Sequence, residues 1–200
     1  MTNMEAEIIA VGTELLLGNI ANTDAQMISQ GLSQLGINVY YHTVVGDNPQ
    51  RVRQAVDIAR GRADILITTG GLGPTCDDLT KVAVAQAFGK ELVYHEPSAQ
   101  RIRERFAQRG TPVTENNFQQ AMVPEGCTVL DNDWGTAPGV AFQADGTHVL
   151  MLPGPPRECA MMFRHRALPY LQQLADGVIA SRTVKTFGIG ESAAEALLRD

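Results

Sequence analysis

The sequence has few cysteines, few basic residues and no long apolar run. Its three cysteines, Cys76, Cys127 and Cys159, form no C-x-x-C pair and leave one unpaired, which argues against a disulfide framework and a zinc knuckle. No segment approaches the ~20 apolar residues that a membrane-spanning helix needs. The polar start of the chain also lacks a signal-peptide core. We therefore expect a cytoplasmic protein without a membrane partner.

Acidic residues outnumber basic ones: the sequence has 22 Asp and Glu and 16 Lys and Arg, which gives a net charge of −6. Duplex nucleic acid requires a dense basic face, so we expect no nucleic-acid partner, although a local basic pocket remains compatible with this average. Hydrophobic residues make up 44% of the chain and charged residues 19%, which is enough for a real core.

Short apolar strands alternate with amphipathic helices along the first half of the chain. Strands are predicted over 5–11, 39–45 and 64–69, and later near 140–142 and 148–152. Helices are predicted from Asn22 to Gly36, from Asn48-Pro49, over about 79–88 with Gly89 after it, over most of 97–121, and through Met161 and Leu171. This alternation indicates an α/β fold with a parallel sheet and right-handed crossovers.

Polar and glycine-rich sequences follow three of these strands. The first strand ends in Gly12-Thr13-Glu14, the second in Gly46-Asp47-Asn48, and the third in a loop running from Gly70 to Asp78. Parallel strands place their carboxyl ends at the same edge, where open α/β sheets bind ligands. We therefore expect these three loops to form one ligand crevice.

The third loop has the composition of a phosphate site. Gly70, Gly71 and Gly73 let the backbone approach a ligand, and the following helix offers unpaired N–H groups. Asp77 and Asp78 would repel a bare phosphate, so they indicate a divalent cation (Mg²⁺, Mn²⁺ or Co²⁺) between carboxylate and phosphate.

Two further carboxylates complete the predicted metal site. Its proposed ligands are Glu14, Asp47, Asp77 and Asp78, with Asp77 and Asp78 also the catalytic candidates. An alternative is that Asp78 only caps the helix at Leu79 and that Asp47 only opens a turn.

Two stiff Gly/Pro turns, residues 135–139 and 152–158, are expected at the same crevice, unless they only punctuate strands. Arg157 is the local candidate for a phosphate partner. The predicted ligand- and phosphate-binding residues are Thr13, Thr69, Gly70, Gly71, Gly73, Thr75, Thr80, Gly135, Thr136, Pro153, Gly154 and Arg157.

Standard nucleotide motifs are missing. Neither G-x-x-x-x-G-K-[ST] nor a complete G-x-G-x-x-G occurs in the Gly70 loop. Gly188-x-Gly190-x-x-Ala193 fits the alanine form of the second motif, but no second strand follows it within the sequence, so it is interpreted as a chance match or a structural turn.

Four motifs in this order nevertheless resemble one family. They are Val11 to Gly18 with Asn22-Thr23, Thr69 to Thr80, Gly135 to Gly139, and Leu152 to Pro156 with Glu158. Together they are similar to the molybdopterin-binding-like N-terminal domain of CinA, the competence/damage-inducible protein A family, over about residues 4–175. Residues 182–200 resemble the opening of the small domain that follows in that family.

The resemblance implies a three-layer α/β/α fold with a mostly parallel sheet, shared with molybdenum-cofactor proteins. It implies metal-dependent hydrolysis of the pyrophosphate in ADP-ribose, giving AMP and ribose 5-phosphate, and self-association into a homo-oligomer. One departure concerns the metal: the family often carries an acidic residue two positions after Thr80, where this chain has Val82.

Two other functions fit the same motifs: binding and adenylylating molybdopterin, or serving as a non-catalytic nucleotide-binding module of a larger protein. The expected small-molecule partner is therefore a phosphorylated nucleotide or a pterin. The predicted domains are 1–176 and the start of a second, truncated one at 177–200, with a strand over 182–187 and a helix over 191–200.

Overall fold

The computed structural model describes residues 4–174 and 185–199. Its strands are β1 (Glu5–Val11), β2 (Asn38–Val45), β3 (Ile65–Thr69), β4 (Leu92–Tyr94), β5 (Met122–Pro124), β6 (Thr128–Leu130), β7 (Gly139–Ala144) and β8 (Thr147–Leu152). Its α-helices are α1 (Thr13–Leu16), α2 (Thr23–Gln34), α3 (Pro49–Ala59), α4 (Thr80–Ala87), α5 (Glu96–Gln108), α6 (Pro156–Met162), α7 (Leu168–Gln172) and α8 (Glu191–Leu197). A 3₁₀ helix (Glu115–Ala121) precedes β5, and a π-helical stretch (Phe163–Ala167) joins α6 to α7.

Six strands form the central sheet in the order β2-β1-β3-β8-β7-β6. The first four are parallel, whereas β7 and β6 run antiparallel to their neighbours. Asp145 and Gly146, both with positive φ, close a two-residue hairpin between β7 and β8, which leaves no room for a crossover helix. The predicted α/β/α fold with a mostly parallel sheet is confirmed, with an antiparallel edge that the sequence pattern did not indicate.

This strand order brings the predicted loops to one edge. β2 and β3 lie on opposite sides of β1, so the strand order reverses there, which is where open α/β sheets form a crevice. The carboxyl ends of β1, β2, β3 and β8 meet at that edge. Because β7 is antiparallel, its first residues lie beside the last residues of β8, with Val140 opposite Met151.

Asparagine caps set the starts of two helices. The Asn22 side chain accepts a hydrogen bond from the Ala25 N–H at 3.1 Å, and the Asn48 side chain accepts from the Arg51 N–H at 3.0 Å. Pro49 then occupies the first helical position, where its missing N–H costs nothing. The predicted starts of α2 and α3 are confirmed.

The core lies on both faces of the sheet because neighbouring strand residues point in opposite directions. On one face, Ile9 and Leu66 pack with α3 and α4. On the other, Ile8, Ile65 and Ile67 pack with α2, α6 and α7. All five side chains are fully buried, as expected for strands covered on both sides.

A small lobe extends from the sheet between α4 and β6. It consists of β4 paired antiparallel with β5, together with α5 and the 3₁₀ helix. The segment 97–121 is largely helical, as predicted. The three-residue strands β4, β5 and β6 were missed because runs this short carry no readable periodicity.

The C-terminal elements differ in detail from the prediction. The helices through Met161 and Leu171 form one continuous run, since the π-helical stretch joins them. The predicted strand 182–187 falls partly outside the described residues, and Lys185–Phe187 are not in a strand. The predicted helix at 191–200 is α8, described as far as Leu197. The predicted boundary at 176 lies outside the described residues and stays a prediction.

Among the residues that the structure describes, no helix combines the length and apolar character needed to cross a bilayer.

Candidate functional site

A cleft of about 540 Å³ lies at the carboxyl edge of the sheet, where the loops after β1, β2, β3 and β8 meet the loop before β7. Its predicted lining residues are Glu14, Asp47, Gly70, Gly71, Gly73, Asp77, Asp78, Thr136, Pro153 and Gly154. Seven further lining residues lie in segments that were expected at the crevice but were not named individually: Gly12, Leu72, Pro74, Ala137, Pro155, Pro156 and Glu158. Val11, Ile20 and Gln120 also line it and were not predicted. The structure thus brings all four predicted metal ligands to one cleft.

The first two loops are tied together by Thr13 and Asp47. The Thr13 N–H and hydroxyl both donate to Asp47 Oδ2, at 2.9 and 2.7 Å. The Asp47 N–H donates back to the Thr13 hydroxyl oxygen at 3.2 Å. Asp47 therefore does more than open a turn, and its Oδ1 remains free of these bonds.

Backbone conformation explains the first two glycines of the third loop. Gly70 and Gly71 have φ of 89° and 66°, in the left-handed region that side chains rarely adopt. A Cβ at Gly70 would also overlap the Val11 carbonyl oxygen, and one at Gly71 would overlap the Thr80 hydroxyl. The loop therefore packs against the end of β1 and the start of α4 with no space for larger residues.

The same loop presents backbone donors. Within residues 4–174 and 185–199, the N–H groups of Gly71, Leu72 and Gly73 have no hydrogen-bond acceptor. The Gly70 N–H, in contrast, is taken by the Leu152 carbonyl at 3.1 Å. Consecutive free N–H groups following residues with positive φ form the kind of concavity that binds anions.

Thr75 organises the two aspartates of the loop. Its N–H donates to Asp78 Oδ2 at 2.9 Å, and its hydroxyl hydrogen bonds to the same oxygen. Hydrogen bonding to Thr75 also lowers the pKa of the exposed Asp77 carboxyl. The α4 N-cap is Leu79, without a side-chain cap, so Asp78 does not cap that helix and the capping alternative is wrong.

Glu158 is a fifth carboxylate of the cleft. Asn132 donates from its amide to Glu158 Oε2 at 3.0 Å and to the Ala137 carbonyl at 2.9 Å. The Asn132 oxygen accepts from the Trp134 and Gly135 N–H groups at 2.9 and 2.7 Å. Asn132 thus holds the loop before β7 and orients Glu158. The motif around Pro155 contained Glu158, but nothing in the sequence indicated Asn132.

Three cleft carboxylates lie directly over glycines. A Cβ on Gly12 would come within 2.6 Å of Glu14, and a Cβ on Gly73 or Gly135 would overlap the carboxylate of Asp78 or Glu158 respectively. Room for these carboxylates is therefore a second reason for glycine in these motifs, besides close approach of the backbone to a ligand.

Six predicted ligand-binding residues are not in the cleft lining: Thr13, Thr69, Thr75, Thr80, Gly135 and Arg157. Thr13 and Thr75 donate hydrogen bonds to the carboxylates of Asp47 and Asp78 instead. Thr80 is buried, and its N–H donates to the Gly71 carbonyl at 3.2 Å. Its hydroxyl has no hydrogen-bond partner in the described part of the chain. Arg157 is exposed on α6, outside the lining, so the structure does not bring it to the predicted phosphate site.

Thr69 ends β3 and lines a narrow pocket beside the cleft, together with Glu14, Asp24 and Gly154. Burial raises the pKa of Asp24 to about 6, and a hydrogen bond with the Cys159 thiol opposes that rise. The carboxyl is therefore partly protonated near neutral pH.

Gln120 reaches the cleft from the small lobe. Its side chain is buried, and its Oε1 has no hydrogen-bond partner among the residues that the structure describes. The buried Lys81 holds this segment, since its ammonium donates to the Gln119, Gln120 and Met122 carbonyls at 3.3, 2.8 and 2.7 Å. Burial lowers the pKa of Lys81 to about 8, although the charges of Cys127 and Asp78 oppose this. No sequence motif indicated either residue.

The cleft is strongly acidic. Among the described residues, its lining contains five carboxylates and no lysine, arginine or histidine. No three His, Cys, Asp or Glu side chains in the described part of the chain cluster closely enough to hold a metal ion by themselves. The donor set still fits Mg²⁺, which is commonly held by one or two carboxylates plus phosphate oxygens and water. Asp47 and Asp78 suit this, since each keeps one carboxylate oxygen outside the bonds to threonine.

The chain matches a family model described as "Probable molybdopterin binding domain" over residues 7–173. A CinA-like protein of Dictyoglomus turgidum is 51% identical over 197 residues, covering 98% of this chain and 48% of that protein. The chain thus spans about half the length of the curated relatives it matches.

Two solved structures resemble the fold of this chain. The protein CinA of Thermoplasma acidophilum is 31% identical with a TM-score of 0.77, over 85% of this chain and 98% of that one. The molybdopterin biosynthesis enzyme MoaB of Thermus thermophilus shares the fold, with a TM-score of 0.56 at 20% identity over 86% and 95% of the two chains. The predicted resemblance is confirmed: this chain belongs to the probable molybdopterin-binding domain family and is a CinA-like member of it.

Proposed function

We propose that the cleft binds a phosphorylated nucleotide together with a divalent cation and hydrolyses its pyrophosphate bond, with ADP-ribose as the reference substrate. The observation that carries this proposal is the contrast between five cleft carboxylates and the free N–H groups of Gly71, Leu72 and Gly73. The N–H groups suit phosphate oxygens, whereas the carboxylates repel them unless a cation lies between.

The chain's own residues divide into three roles. The glycine loop holds phosphate oxygens through its backbone. Asp47 and Asp78, each oriented by a threonine, hold the cation, and Glu14 and Glu158 also line the cleft. When bound, the cation offsets phosphate charge and favours ionisation of a bound water.

Asp77 is the candidate for orienting the attacking water. Its pKa is lowered by hydrogen bonding to Thr75 and its side chain is exposed, so it is ionised at neutral pH and can accept a further hydrogen bond from water. It is not engaged in the short bonds that hold Asp78. Asp77→Asn keeps the shape of the side chain and removes its charge, so it tests this role separately from the fold.

The experiment incubates the chain with ADP-ribose and Mg²⁺, Mn²⁺ or Co²⁺, or with EDTA, and measures AMP by chromatography. AMP is expected only with metal, and Asp77→Asn and Asp78→Asn should each lower kcat/KM by about 10²-fold or more. Asp57→Asn is the matched control, because Asp57 lies exposed on α3, outside the cleft, and forms ion pairs with Arg53 and Arg60. Full activity of both cleft variants would overturn the assignment.

Two alternatives have their own support. The family description names molybdopterin, and that ligand also joins a ring system to a phosphate. Tight pterin binding with MgATP turnover, and no AMP from ADP-ribose, would favour an adenylylating role.

The relatives are about twice as long as this chain, which favours a binding module of a larger protein. Nucleotide binding without turnover under any metal would indicate that role.

The predicted homo-oligomer and the cytoplasmic location remain proposals. Sedimentation equilibrium of the purified chain at two concentrations tests the first, and a single monomeric mass at both would contradict it.

A further inference from the structure

The side chain of Asn132 uses all of its hydrogen-bonding capacity in the loop before β7, residues 131–138. Its oxygen accepts from the Trp134 and Gly135 N–H groups at 2.9 and 2.7 Å. Its amide nitrogen donates to the Ala137 carbonyl at 2.9 Å and to Glu158 Oε2 at 3.0 Å. Because backbone N–H groups only donate and a carbonyl only accepts, these partners fix the orientation of the amide. Its donating end therefore faces the Glu158 carboxylate.

The same loop is held from outside the cleft by the π-helical stretch that follows α6. Arg166 binds the Asp133 carboxylate at 2.6 Å and donates to the Asp131 carbonyl at 3.2 Å. His165, the preceding residue, stacks on Trp134 with the ring centroids 5.4 Å apart. A side chain on a loop supported in this way keeps a fixed position, as a residue that orients another must do.

Glu158 has one carboxylate oxygen left for the cleft. It lies half-buried in the first turn of α6, and the side-chain hydrogen bond that it makes within the described residues uses Oε2 alone. No basic residue lines the described cleft, so none is in place to pair with Oε1. A carboxylate only accepts hydrogen bonds, and phosphate oxygens do not donate them at neutral pH. Beside a bound phosphate, the partner that suits Oε1 is therefore water.

We propose that Asn132 is a positioning residue of the hydrolase: it holds Glu158 so that Oε1 accepts a hydrogen bond from water beside the phosphate. The inference rests on the proposed function and adds Glu158 to it as a second acceptor for water, besides Asp77. Asn132 contacts neither substrate nor water and acts only through Glu158. Losing either residue should lower kcat rather than raise KM, because a carboxylate does not attract the phosphate of the substrate.

Two substitutions separate this role from support of the loop. Asn132→Asp keeps an acceptor for the Trp134 and Gly135 N–H groups, but its new carboxylate repels Glu158. Glu158→Gln keeps the length of the side chain and removes its charge. In the double variant the glutamine amide can donate to the introduced carboxylate, so the contact between the two positions is restored with its polarity reversed.

Asn116→Asp is the matched control. Asn116 is exposed, lies outside the cleft lining and accepts a hydrogen bond from the Thr114 hydroxyl through its oxygen. The substitution keeps that acceptor and adds the same charge as Asn132→Asp, so kcat and KM should not change.

The experiment measures kcat and KM from AMP release with ADP-ribose and Mg²⁺, and the urea midpoint of each variant. Glu158→Gln should lower kcat by about 10²-fold and Asn132→Asp by about 10-fold or more, each with KM within about 3-fold. The double variant should keep the kcat of Glu158→Gln within about 2-fold, because without the Glu158 charge its orientation no longer matters. Its urea midpoint should nevertheless rise above that of Asn132→Asp.

A purely structural role of Asn132 predicts a different result. The double variant would then regain activity together with stability, or the two losses in kcat would multiply, and either outcome would overturn the inference. Trp134 is the only tryptophan in the sequence, so its emission maximum reports on the loop. It should be the same in Asn132→Asp as in wild type, whereas a shift with equal losses of kcat in both backgrounds would show a displaced loop and overturn the positioning role.

Other outcomes separate this inference from the proposed function. Full kcat in Glu158→Gln would overturn the inference even if Asn132→Asp fails to fold, and it would leave the hydrolase intact. A raised KM with unchanged kcat would also overturn it, because Glu158 would then bind the substrate. No AMP from folded wild type with any metal would overturn the hydrolase and the positioning role together.

Discussion

Thr13 gives both of its hydrogen-bond donors to one oxygen of Asp47, its N–H at 2.9 Å and its hydroxyl at 2.7 Å. The Asp47 N–H returns a bond to the Thr13 oxygen at 3.2 Å. The two residues belong to the loops after β1 and β2, so this reciprocal pair fixes two walls of the cleft relative to each other. It also aligns one carboxylate whose second oxygen remains available.

Thr13→Val should therefore lower activity without unfolding the protein. The substitution keeps the backbone N–H and the shape but removes the hydroxyl that orients Asp47, so a fall in kcat/KM of about 10-fold is expected. Because Thr13 is exposed, the free energy of unfolding should change by no more than about 1 kcal/mol. AMP release from ADP-ribose and urea denaturation measure the two quantities. Thr111→Val, an exposed threonine outside the cleft, should alter neither, and an unchanged kcat/KM in Thr13→Val would contradict the role.

Gly135→Ala tests the packing of a carboxylate over a glycine. A methyl group at this position overlaps the carboxylate of Glu158, which is the end of a flexible side chain and can move aside. The expected result is a displaced Glu158, a fall in kcat/KM of about 10-fold and a loss of stability of about 1 kcal/mol. Steady-state kinetics and chemical denaturation measure both.

Gly61→Ala is the control, because a Cβ there meets only the Ile58 carbonyl at an ordinary 3.5 Å. If Gly135→Ala loses stability but keeps full activity, Glu158 has a structural role only.

Most of the correct sequence predictions concerned the ends of strands and the capped starts of helices. The ends of β1, β2 and β3 were located because apolar strands stop at glycine and polar residues, and parallel strands then place those ends together. The starts at Asn22 and Asn48 followed from local capping chemistry, which needs no knowledge of distant contacts. The stiff Gly/Pro turns at 135–139 and 152–158 indicated the remaining loops of the cleft.

What the sequence could not provide was side-chain direction and long-range pairing. Thr13 and Thr75 were predicted to bind phosphate, but their hydroxyls point to carboxylates. Asn132 contacts Glu158 across 26 positions, and Lys81 contacts the Gln120 carbonyl across 39, separations that no local pattern reveals. The order β8-β7-β6 likewise depends on hairpin closure at Asp145-Gly146, which was not recognised as a turn.

Val82 stands where the family often has an acidic residue, and this difference should have little effect on metal binding or activity. Val82 is half-buried on α4 and does not line the cleft, so a carboxylate there is not in place to bind the cation. Val82→Glu should keep kcat/KM and the metal concentration for half-maximal activity within about 2-fold. Stability should change by less than about 1 kcal/mol, since an acidic residue suits the first turn of a helix. Ile58→Glu, on exposed α3 surface, is the control. A 10-fold gain in metal affinity in Val82→Glu alone would show that an acidic residue here reaches the metal.

Lys81 should make stability depend on pH in the alkaline range. Burial lowers its pKa from 10.5 to about 8, while the unfolded chain keeps the ordinary value. Below pH 8 both states are protonated and the full penalty of burying the charge is present. Between pH 8 and 10.5 the unfolded state binds more protons, so the penalty is relieved and the contribution of this residue to stability rises with pH.

The comparison with Lys81→Met isolates that contribution. The variant should be destabilised by about 2 kcal/mol at pH 7, because three backbone carbonyls, one of them in a buried hydrogen bond, lose their donor, and this loss exceeds the relief of the charge penalty. Between pH 7 and 9.5 the stability of wild type relative to the variant should increase by about 2 kcal/mol, from the difference in proton binding. Urea denaturation of both proteins at the two pH values measures this.

Lys90→Met is the control, since Lys90 donates to one carbonyl at an exposed site. A difference between wild type and Lys81→Met that stays constant with pH would mean that the Lys81 pKa is close to its ordinary value. In that case the Lys81 ammonium keeps its proton throughout. Its hydrogen bond to the carbonyl of Gln120, which lines the cleft, then has the same strength at pH 7 and 9.5.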